Sequence, residues 1–338
     1  KMRDVYVIGI GMNRFGKYLN ATIKGLTAEA VDLVLKDCGL APSDLEAAYF
    51  SNTFWGMFSN QHSIRGQVAL RPLGIQGIPI INVENACAGA STAFHLAYMA
   101  VASGMQDVTL AVGVEKIFHE DRMLSLKSYA SCVDVEGFAD QVKILEEITT
   151  ACGAAISSEE LGKGRSIFMD IYASMARWHM KKYGSTQEQL AIIAAKNHFH
   201  GSLNPLAQIQ RDMSVEEVLA DPVISYPLTR AMCSPVGDGA AAAILCSKDY
   251  LKKLVDPRPV KVIASVLGSG TDRTLEGTDI GERLSKKAYE KAGLGPKDIN
   301  VAELHDATAF GELHQLEVMG FCPPGEGGVF SATGATKL

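Results

Sequence analysis

Two stretches of this chain repeat the same phrase far apart in the sequence, and the repetition limits the folds open to it. GLAPSDLEAAYFSN begins at Gly39 and GLGPKDINVAELHD begins at Gly293, with Gly, Leu, Pro and Asp at identical offsets. An apolar strand, a turn and a helix precede the second copy (residues 260–266, 268–270 and 280–292), much as a strand and a helix precede the first. The simpler alternative is that both stretches are a common sequence for a helix end followed by a turn. However, the order of the matching residues, their spacing and the elements that flank them agree between the two stretches. The sequence therefore predicts an internal duplication of a whole α/β unit.

The N-terminal part of the chain alternates strands with helices. VYVIGIG at residues 5–11 is a β-branched apolar run closed by glycine, which is typical of a buried strand. The spacing predicts a helix over residues 28–38, with Thr27 as its N-cap and Gly39 as its C-terminal cap. The series continues with a strand at 78–83, a small-residue helix at about 87–103 and a strand at 108–114. Such alternation predicts a mostly parallel sheet with helices on its faces.

The composition excludes several classes of protein. Of the 338 residues, 47% are hydrophobic and 21% charged, which is unlike a disordered or fibrous chain. A net charge of -6 leaves no basic surplus, so no nucleic-acid partner is expected. The seven cysteines lack the paired spacings of a zinc site, so we expect no metal and reduced thiols in a cytoplasm. No apolar run reaches about 18 residues, so no membrane span is expected.

A change of composition marks residues 118–221. Met, Lys, Glu and Tyr are frequent there, and helical patterns such as IFMDIYASMARWHMKKYG occur. After it, GDGAAAAILCS, which begins at Gly237, returns to the small apolar style of the first part and predicts its last strand. We therefore expect an N-terminal half of residues 2–117 and 222–248, a helical insertion of residues 118–221 and a C-terminal half of residues 249–338.

The first candidate for chemistry is Cys87, in NVENACAGAS. It lies between the end of a predicted strand and the start of a helix crowded with small residues. A helix N-terminus offers unpaired N–H groups and the positive end of the dipole, which favour a thiolate and stabilise an oxyanion. Gly89 and its small neighbours let a bulky acyl thioester approach the backbone closely. We interpret Cys87 as a nucleophile; a buried structural cysteine is the alternative.

The second candidate is the His305–Asp306 pair in ELHDATAF, at the end of a strand that the duplication makes equivalent to the one ending near Ser51. Corresponding strand ends of a duplicated sheet converge at one edge, so we expect His305 to face Cys87 and to hydrogen-bond a thioester oxygen. A loop histidine without a catalytic role is the alternative. The preference of ligands for the carboxyl ends of strands favours the functional interpretation.

A duplicated α/β half with ENACAGAS, GDGAAAAIL, HDATAF and MGFCPPGEGG resembles the thiolase superfamily, in particular its sterol-carrier-protein-type and archaeal members. The resemblance covers nearly the whole chain. It implies a five-layered αβαβα fold in which Cys87 takes the acyl group and His305 helps to form an oxyanion hole, with Gly89 and Asp306 supporting the site. It also implies coenzyme A as substrate without a permanently bound cofactor, a homodimer, and a small OB-fold and zinc-ribbon partner.

The chain departs from this family at two catalytic groups. The resemblance implies a GHP-x-G histidine that activates the nucleophile and a second cysteine that moves the α-carbon proton, from an HDC motif or a C-terminal C-x-G. Ala307 occupies the HDC position, and no histidine follows His314, which is expected on a helix face. Cys322, beside a PPGEGG turn, is a poor replacement. The sequence ends in VFSATGATKL, and its ATGA resembles the end of the family's GHP-x-GATGA motif. We therefore expect that the sequence is an incomplete chain.

The helical insertion offers weaker candidates. Tyr172, Met175, Trp178 and Met180 can line an acyl pocket, although such a stripe is typical of ordinary packing. Arg177, Lys181 and Lys182 can meet coenzyme A phosphates, with a solvated helix face as the alternative. The length of the insertion favours a bulky or aromatic acyl group, such as that of benzoylsuccinyl-CoA.

The sequence thus predicts a cytoplasmic, degradative acyltransferase of thiolase type that acts on a CoA-linked β-keto acid. A thiolase-like retro-aldolase is the first alternative, against which the retained Cys87 argues, since aldol cleavage needs no acyl acceptor. A non-catalytic acyl-CoA-binding subunit is the second. This alternative is favoured because the second half lacks the GHP-x-G histidine and the second catalytic cysteine.

Overall fold

The fold was analysed in a computed structural model, which describes residues 2–153 and 160–338. The chain forms two compact units. Unit 1 contains Lys1–Glu120 and Val236–Leu267, and unit 2 contains Asp121–Pro235 and Gly268–Leu338. The segment predicted as a helical insertion therefore groups with the C-terminal residues, and the three predicted domain boundaries stay predictions.

Strands and helices are numbered here in chain order. The strands are β1 (Val5–Met12), β2 (Ala47–Ser51), β3 (Ile80–Val83), β4 (Val108–Glu115), β5 (Val223–Ser225), β6 (Leu228–Thr229), β7 (Gly239–Ser247) and β8 (Val260–Val262). The helices are α1 (Ile23–Cys38), α2 (Trp55–Ser59), α3 (Arg65–Leu70), α4 (Gly89–Ser103), α5 (Arg122–Tyr129), α6 (Phe138–Ala151), α7 (Ile167–Tyr183), α8 (Gln187–Leu203), α9 (Val215–Ala220), α10 (Lys248–Leu251), α11 (Ile280–Ala292), α12 (Ala309–Val318) and α13 (Gly327–Ala332).

Unit 1 is built on a six-stranded sheet in the order β3-β2-β4-β7-β1-β8. Strand β2 runs parallel to β3 and β4, whereas β7 is antiparallel to both β4 and β1, and β8 is antiparallel to β1. The prediction of a mostly parallel sheet is therefore wrong. A long segment separates β4 from β7, so a short helical crossover does not join these two strands. Strand β7 can therefore enter the sheet from the opposite end.

Helices cover both faces of this sheet. On one face, α1 buries Ala30, Val31 and Val34 in a core that includes Phe50. On the other face, α4 packs Ala93, Ala97 and Val101 against the sheet. Small side chains bring α4 close to the strands: a Cβ on Gly113 of β4 would lie only 2.5 Å from the Cβ of Ala90. Unit 1 thus has three layers, helix, sheet and helix. The carboxyl ends of the parallel strands β3, β2 and β4 lie at one edge of the sheet.

The first predicted helix begins earlier than expected. Thr22, not Thr27, is the N-cap, and its hydroxyl accepts the Gly25 N–H at 3.0 Å. Thr27 is buried inside the helix, where its hydroxyl donates to the Ile23 carbonyl at 2.7 Å. A threonine inside a helix satisfies its hydroxyl this way, so a Ser or Thr before an apolar run does not by itself mark the start. The predicted C-terminal cap at Gly39 is confirmed, with φ of 70°.

Unit 2 is mainly helical. Its core joins α7, α8 and α12 through Ala173, Leu190, Phe310 and Leu313. Two buried pairs of polar side chains join α12 to its neighbours. In one, His179 Nε2 lies 3.1 Å from both carboxylate oxygens of Glu317, and in the other Lys196 contacts Glu312. Breaking either pair would leave a buried polar group without its partner, so the pairs fix how α12 lies against α7 and α8.

The second copy of the repeat forms its helix but not its strands in full. Helix α11 has the predicted bounds, Ile280–Ala292. The strand expected at 260–266 is only Val260–Val262, which pairs with β1 in unit 1. No strand is formed over 301–305, so the prediction that His305 ends a strand is wrong. A strand needs a hydrogen-bonded neighbour, and within the described part of unit 2 none pairs with this segment.

Within residues 2–153 and 160–338, no helix is long and apolar enough to cross a membrane.

Candidate active site

Cys87 lies on a sharp elbow between β3 and α4. Strand β3 ends at Val83, a short turn of 3₁₀ helix covers Ala86–Ala88, and α4 begins at Gly89. Ala86 has φ of 44°, in the left-handed region that costs energy for a residue with a Cβ. The Cys87 side chain is exposed, directly before the helix N-terminus. The N-cap of α4 forms no side-chain cap hydrogen bond, and the N-terminus of a helix is a place where negative charge is stabilised.

Polar side chains around the elbow hold its backbone in place. Glu84 Oε1 accepts the Ala86 N–H at 2.6 Å and the Thr53 hydroxyl at 3.4 Å. Asn85 Nδ2 donates to the hydroxyl of Thr92 in α4 at 2.9 Å. These bonds stabilise the strained residue that precedes the thiol. Sequence analysis missed Glu84 and Asn85, although both stand in the same phrase as Cys87.

Gly89 is required by close packing at the start of α4. A Cβ at Gly89 would lie 2.3 Å from Ser51 Oγ, at the carboxyl end of β2. The sequence interpretation gave Gly89 the role of admitting a thioester; the structure adds that the helix N-terminus approaches β2 here. The supporting role of Gly89 in the reaction stays a prediction.

A half-buried carboxyl group lies at the same edge of the sheet. Glu115 ends β4, beside the end of β2, where Ser51 is paired with both Val83 and Gly113. Burial raises the pKa of the Glu115 carboxyl to about 7, while hydrogen bonds from the backbone N–H groups of Thr53 and Phe54 act to lower it. The carboxyl therefore fixes the loop after β2. Sequence analysis did not identify this residue, because its importance depends on which strands are neighbours.

His305 and Asp306 lie in unit 2, in an irregular segment directly before α12. His305 is exposed, and its carbonyl accepts a hydrogen bond from Gln315 Nε2. Ala307 has φ of 57°, and Thr308 is the N-cap of α12. A Cβ on Gly311 would lie 1.8 Å from the Asp306 carbonyl oxygen, so the first turn of α12 presses against this segment.

A second segment of unit 2 pairs with the residues after Asp306. Cys233 and Thr308 form an antiparallel bridge, and the Ser234 N–H donates to the Ala307 carbonyl at 2.9 Å. Beside them lies a cavity of about 150 Å³. It is lined by Ala194, Asn197, His198, Ile209, Ala231, Met232, Cys233, Ser234, Pro235, Asp306, Ala307, Thr308 and Ala309.

The charge at this cavity is set by buried carboxyl groups. Burial raises the pKa of Asp306, and the nearby charge of Glu312 raises it further. Glu312 itself accepts a hydrogen bond from Asn197 Nδ2 at 2.7 Å and contacts Lys196. The cavity therefore has an acidic group at its rim that resists ionisation more than an exposed aspartate does.

Two of the insertion residues considered for substrate or coenzyme A, Arg177 and Met175, are in α7. Arg177 is only 7% exposed, and its guanidinium bonds Ser174 Oγ at 3.1 Å and the Tyr226 carbonyl. The alternative that Arg177 belongs to a solvated helix face is therefore wrong, because the side chain joins α7 to a neighbouring loop. Met175 packs against the core of unit 2. A contact of either residue with coenzyme A stays a prediction.

His314 and Cys322 lie where the sequence interpretation expected residues without a catalytic role. His314 is on helix α12, with its Nε2 3.4 Å from Asp279 Oδ2. Cys322 is buried, and burial raises the pKa of its thiol to about 11. Neither lines the cavity beside Asp306. Unit 1 thus brings Cys87, Gly89 and Glu115 to one edge of its sheet, and unit 2 brings Asp306 and Cys233 to one cavity, next to His305.

Known families match most of the chain. The family described as thiolase, N-terminal domain, matches residues 5–249. The family described as thiolase C-terminal domain-like matches residues 271–338.

Curated relatives agree with these matches. The benzoylsuccinyl-CoA thiolase subunit BbsB of Thauera aromatica is 34% identical over 338 residues, which cover 96% of this chain and 77% of that protein. An acetyl-CoA acetyltransferase of Methanothermobacter thermautotrophicus is 35% identical over 343 residues, which cover 100% of this chain and 82% of that protein.

Solved structures resemble the chain along nearly its whole length. The structure titled Ltp2-ChsH2(DUF35) aldolase has a TM-score of 0.77 and 25% identity, and the match covers 98% of this chain and 80% of that one. Human mitochondrial 3-ketoacyl-CoA thiolase has a TM-score of 0.69 and 18% identity, with 94% and 83% covered, and at that identity the likeness shows the fold alone.

These matches confirm the predicted thiolase-type α/β fold and the predicted family, whereas the five-layered arrangement in detail stays a prediction. Two thiolase domains in the expected order, together with an acetyltransferase relative of this identity, also confirm the predicted enzyme class. The chain belongs to the thiolase family and is an acyltransferase of thiolase type.

Proposed function

We propose that this enzyme cleaves a β-ketoacyl-CoA with coenzyme A through an acyl-Cys87 intermediate, or runs the reverse Claisen condensation. The single observation that carries the proposal is the elbow at Cys87, where an exposed thiol stands directly before the N-terminus of a fifteen-residue helix. The thiolate attacks the β-carbonyl carbon, the bond between C2 and C3 breaks, and the acyl group remains on sulfur. The helix N–H groups stabilise the oxyanion that forms at the attacked carbonyl.

In this proposal His305 donates a hydrogen bond to the thioester oxygen of the departing acyl-CoA. That oxygen gains negative charge as the C2–C3 bond breaks, so a donor at this point lowers the barrier. Asp306, next in sequence, supports the histidine electrostatically. The exposure of His305 and its position directly before the N-cap of α12 support this role.

We propose a bulky or aromatic acyl group as the substrate class and a partner subunit as part of the working enzyme. The first is supported by the name of a relative, benzoylsuccinyl-CoA thiolase subunit BbsB. The second is supported by the word subunit in that name and by the paired title Ltp2-ChsH2(DUF35) aldolase. Coenzyme A as co-substrate, a degradative direction in lipid metabolism, a homodimer and a cytoplasmic location complete the proposal.

A second candidate function is retro-aldol cleavage of a CoA thioester. It is favoured by one observation, the resemblance to a structure titled as an aldolase. Retro-aldol chemistry needs no acyl group on sulfur, so the exposed Cys87 favours acyl transfer instead. A non-catalytic acyl-CoA-binding subunit is the remaining alternative.

Steady-state turnover with a panel of β-ketoacyl-CoAs separates these functions. Wild type should turn over more than once per active site only when coenzyme A is present, and Cys87→Ala should lose about 10⁴-fold or more in kcat, as removal of a nucleophile does elsewhere. Ser91→Ala, in the same helix turn, is the matched control and should keep activity within about 3-fold. A Cys87→Ala enzyme with full turnover would contradict acyl transfer, and binding without turnover would support the non-catalytic alternative.

A further inference from the structure

Cleavage of a β-ketoacyl-CoA leaves an electron pair at C2 of the departing thioester, and this carbon needs a proton. The resemblance led us to expect a cysteine for this step at the position that Ala307 occupies. An alanine side chain cannot donate a proton. A donor must therefore come from a residue that the fold, and not the local sequence, brings to this segment.

The segment that pairs with Ala307 and Thr308 carries such a group. Cys233 stands opposite Thr308 in an antiparallel bridge, and Ser234 donates its N–H to the Ala307 carbonyl at 2.9 Å. Cys233, Asp306 and Ala307 line the same cavity of about 150 Å³. Residues directly opposite each other in such a pair have Cα atoms about 4.5–5.5 Å apart, so the backbone of Cys233 lies beside Thr308, the residue that follows Ala307.

Two of the other polar side chains in this cavity are already engaged in hydrogen bonds. His198 Nε2 bonds the Ala231 carbonyl at 3.1 Å. The Thr308 hydroxyl accepts the Gly311 N–H at 3.3 Å as the cap of α12. Burial and the nearby charge of Glu312 raise the pKa of Asp306, so its carboxyl is the other proton-holding group that lines this cavity.

We propose that Cys233 is the acid that protonates C2, in place of the cysteine that position 307 lacks; this rests on the proposed function. When the C2–C3 bond breaks, its electron pair goes to C2, and the Cys233 S–H proton moves to C2. The S–H electron pair stays on sulfur as a thiolate. The incoming coenzyme A thiol returns a proton to Cys233, and its thiolate attacks the acyl carbonyl on Cys87. No oxidant or reductant is consumed.

The burial of Cys233 agrees with this direction of proton transfer. Burial raises the pKa of its thiol to about 12, so the group is protonated at neutral pH. Only the protonated thiol can serve as the acid in cleavage.

The test compares two ways of loading Cys87 in the full chain. Acetoacetyl-CoA loads Cys87 only if C2 is protonated, whereas acetyl-CoA loads the same thiol by thioester exchange with no carbanion. Acyl-Cys87 formation from each probe is followed by quenched-flow mass spectrometry in wild type, Cys233→Ala and Cys233→Ser. Both variants should slow loading from acetoacetyl-CoA by about 10²–10⁴-fold, the usual contribution of a general acid, and leave loading from acetyl-CoA within about 3-fold.

Cys322→Ala is the matched control, since Cys322 is a buried cysteine of the same unit that does not line the cavity. Both of its loading rates should stay within about 3-fold of wild type. Unchanged loading from acetoacetyl-CoA in the Cys233 variants overturns the assignment. An equal loss with both probes also overturns it, because that pattern marks a structural role. If wild type loads Cys87 from neither probe and from no member of the β-ketoacyl-CoA panel, the proposed function itself has failed, which is a distinct result.

Discussion

The two copies of the internal repeat form the same helix cap and the same turn, but only the first copy continues into a strand. In the first copy, α1 is capped by Gly39 with φ of 70°, a 3₁₀ turn follows at Pro42–Asp44, and the chain continues as a fully buried strand, β2. In the second, α11 is capped by Gly293 with φ of 68° and the turn follows at Pro296–Asp298. The next residues there stay irregular and exposed.

The turn bonds of the two copies are nearly identical. Asp44 Oδ2 accepts the Ala41 N–H at 2.7 Å, and Asp298 Oδ2 accepts the Gly295 N–H at 2.8 Å. The surroundings differ, because α1 lies on a six-stranded sheet with many buried side chains whereas α11 has no buried residue in the described part of unit 2. Caps and turns are therefore set by nearby residues, and a strand is set by its neighbours.

The largest expected difference between the copies is in the strand positions. Phe50 in β2 is 1% exposed, whereas Leu304, at the equivalent place in the second copy, is only partly buried. Phe50→Ala should lower the free energy of unfolding by about 3–5 kcal/mol, and Leu304→Ala by about 1 kcal/mol or less. Denaturant unfolding monitored by hydrogen exchange measures both. Equal losses would mean that residues 301–305 form a packed strand, and the comparison would fail.

The next largest effect concerns the glycines beside the two candidate sites. A Cβ on Gly311 would meet the fixed Asp306 carbonyl at 1.8 Å, whereas one on Gly89 would meet the rotatable Ser51 hydroxyl at 2.3 Å. We expect Gly311→Ala to cost about 3 kcal/mol and Gly89→Ala about 1 kcal/mol, since a backbone atom cannot yield as a side chain does. Thermal unfolding measures both. Ser51→Ala should restore the stability of the Gly89 variant, and failure of that rescue would place the strain elsewhere.

A pH-dependent difference is expected at the helix starts. The proximity of His314, whose Nε2 lies 3.4 Å from Asp279 Oδ2, lowers the pKa of the α11 cap Asp279 to about 2, with help from the Gly281 N–H and Arg273. A carboxyl with a lowered pKa stabilises the fold above its unfolded pKa of about 3.9, and this contribution of about 2 kcal/mol is lost as the pH falls toward 2. Asp279→Asn keeps a side-chain cap for α11. The free energy of unfolding of this variant should therefore change less than that of wild type between pH 5 and pH 2, by about 2 kcal/mol. An unchanged pH profile would contradict the ion-pair assignment.

The smallest effect is at the neutral cap of α1. Thr22→Ala removes the bond to the Gly25 N–H and should cost about 1 kcal/mol at any pH, because no charge is involved. Chemical denaturation at pH 7 and at pH 4 tests this. A cost that changes with pH would show that a charged group, and not the hydroxyl, caps α1.

Features set by neighbouring residues could be predicted from the sequence. The strand Val5–Met12, the cap at Gly39, the helix Ile280–Ala292 and the elbow at Cys87 all follow from local patterns, and the structure has them. The start of α1 was misplaced because Thr22 and Thr27 are both possible caps by type. Only the packing of the helix decides between them.

Features set by distant residues could not be predicted. The antiparallel entry of β7, the missing strand before His305 and the half-buried Glu115 all depend on which segments become neighbours. Cys233 was overlooked for the same reason, since its bridge to Thr308 joins segments that are far apart in the chain. The available signal was its position shortly before the GDG phrase, which alone does not reveal the pairing.

The central claim is that Cys87 carries the acyl group, and peptide mass spectrometry tests it most directly. Full-length protein is incubated with a β-ketoacyl-CoA, quenched in acid and digested, and the peptide that contains Cys87 is weighed. We predict that this peptide gains the mass of the acyl group in wild type and loses it again when coenzyme A is added. Turnover of the substrate with an unmodified Cys87 peptide at every time point would contradict the account.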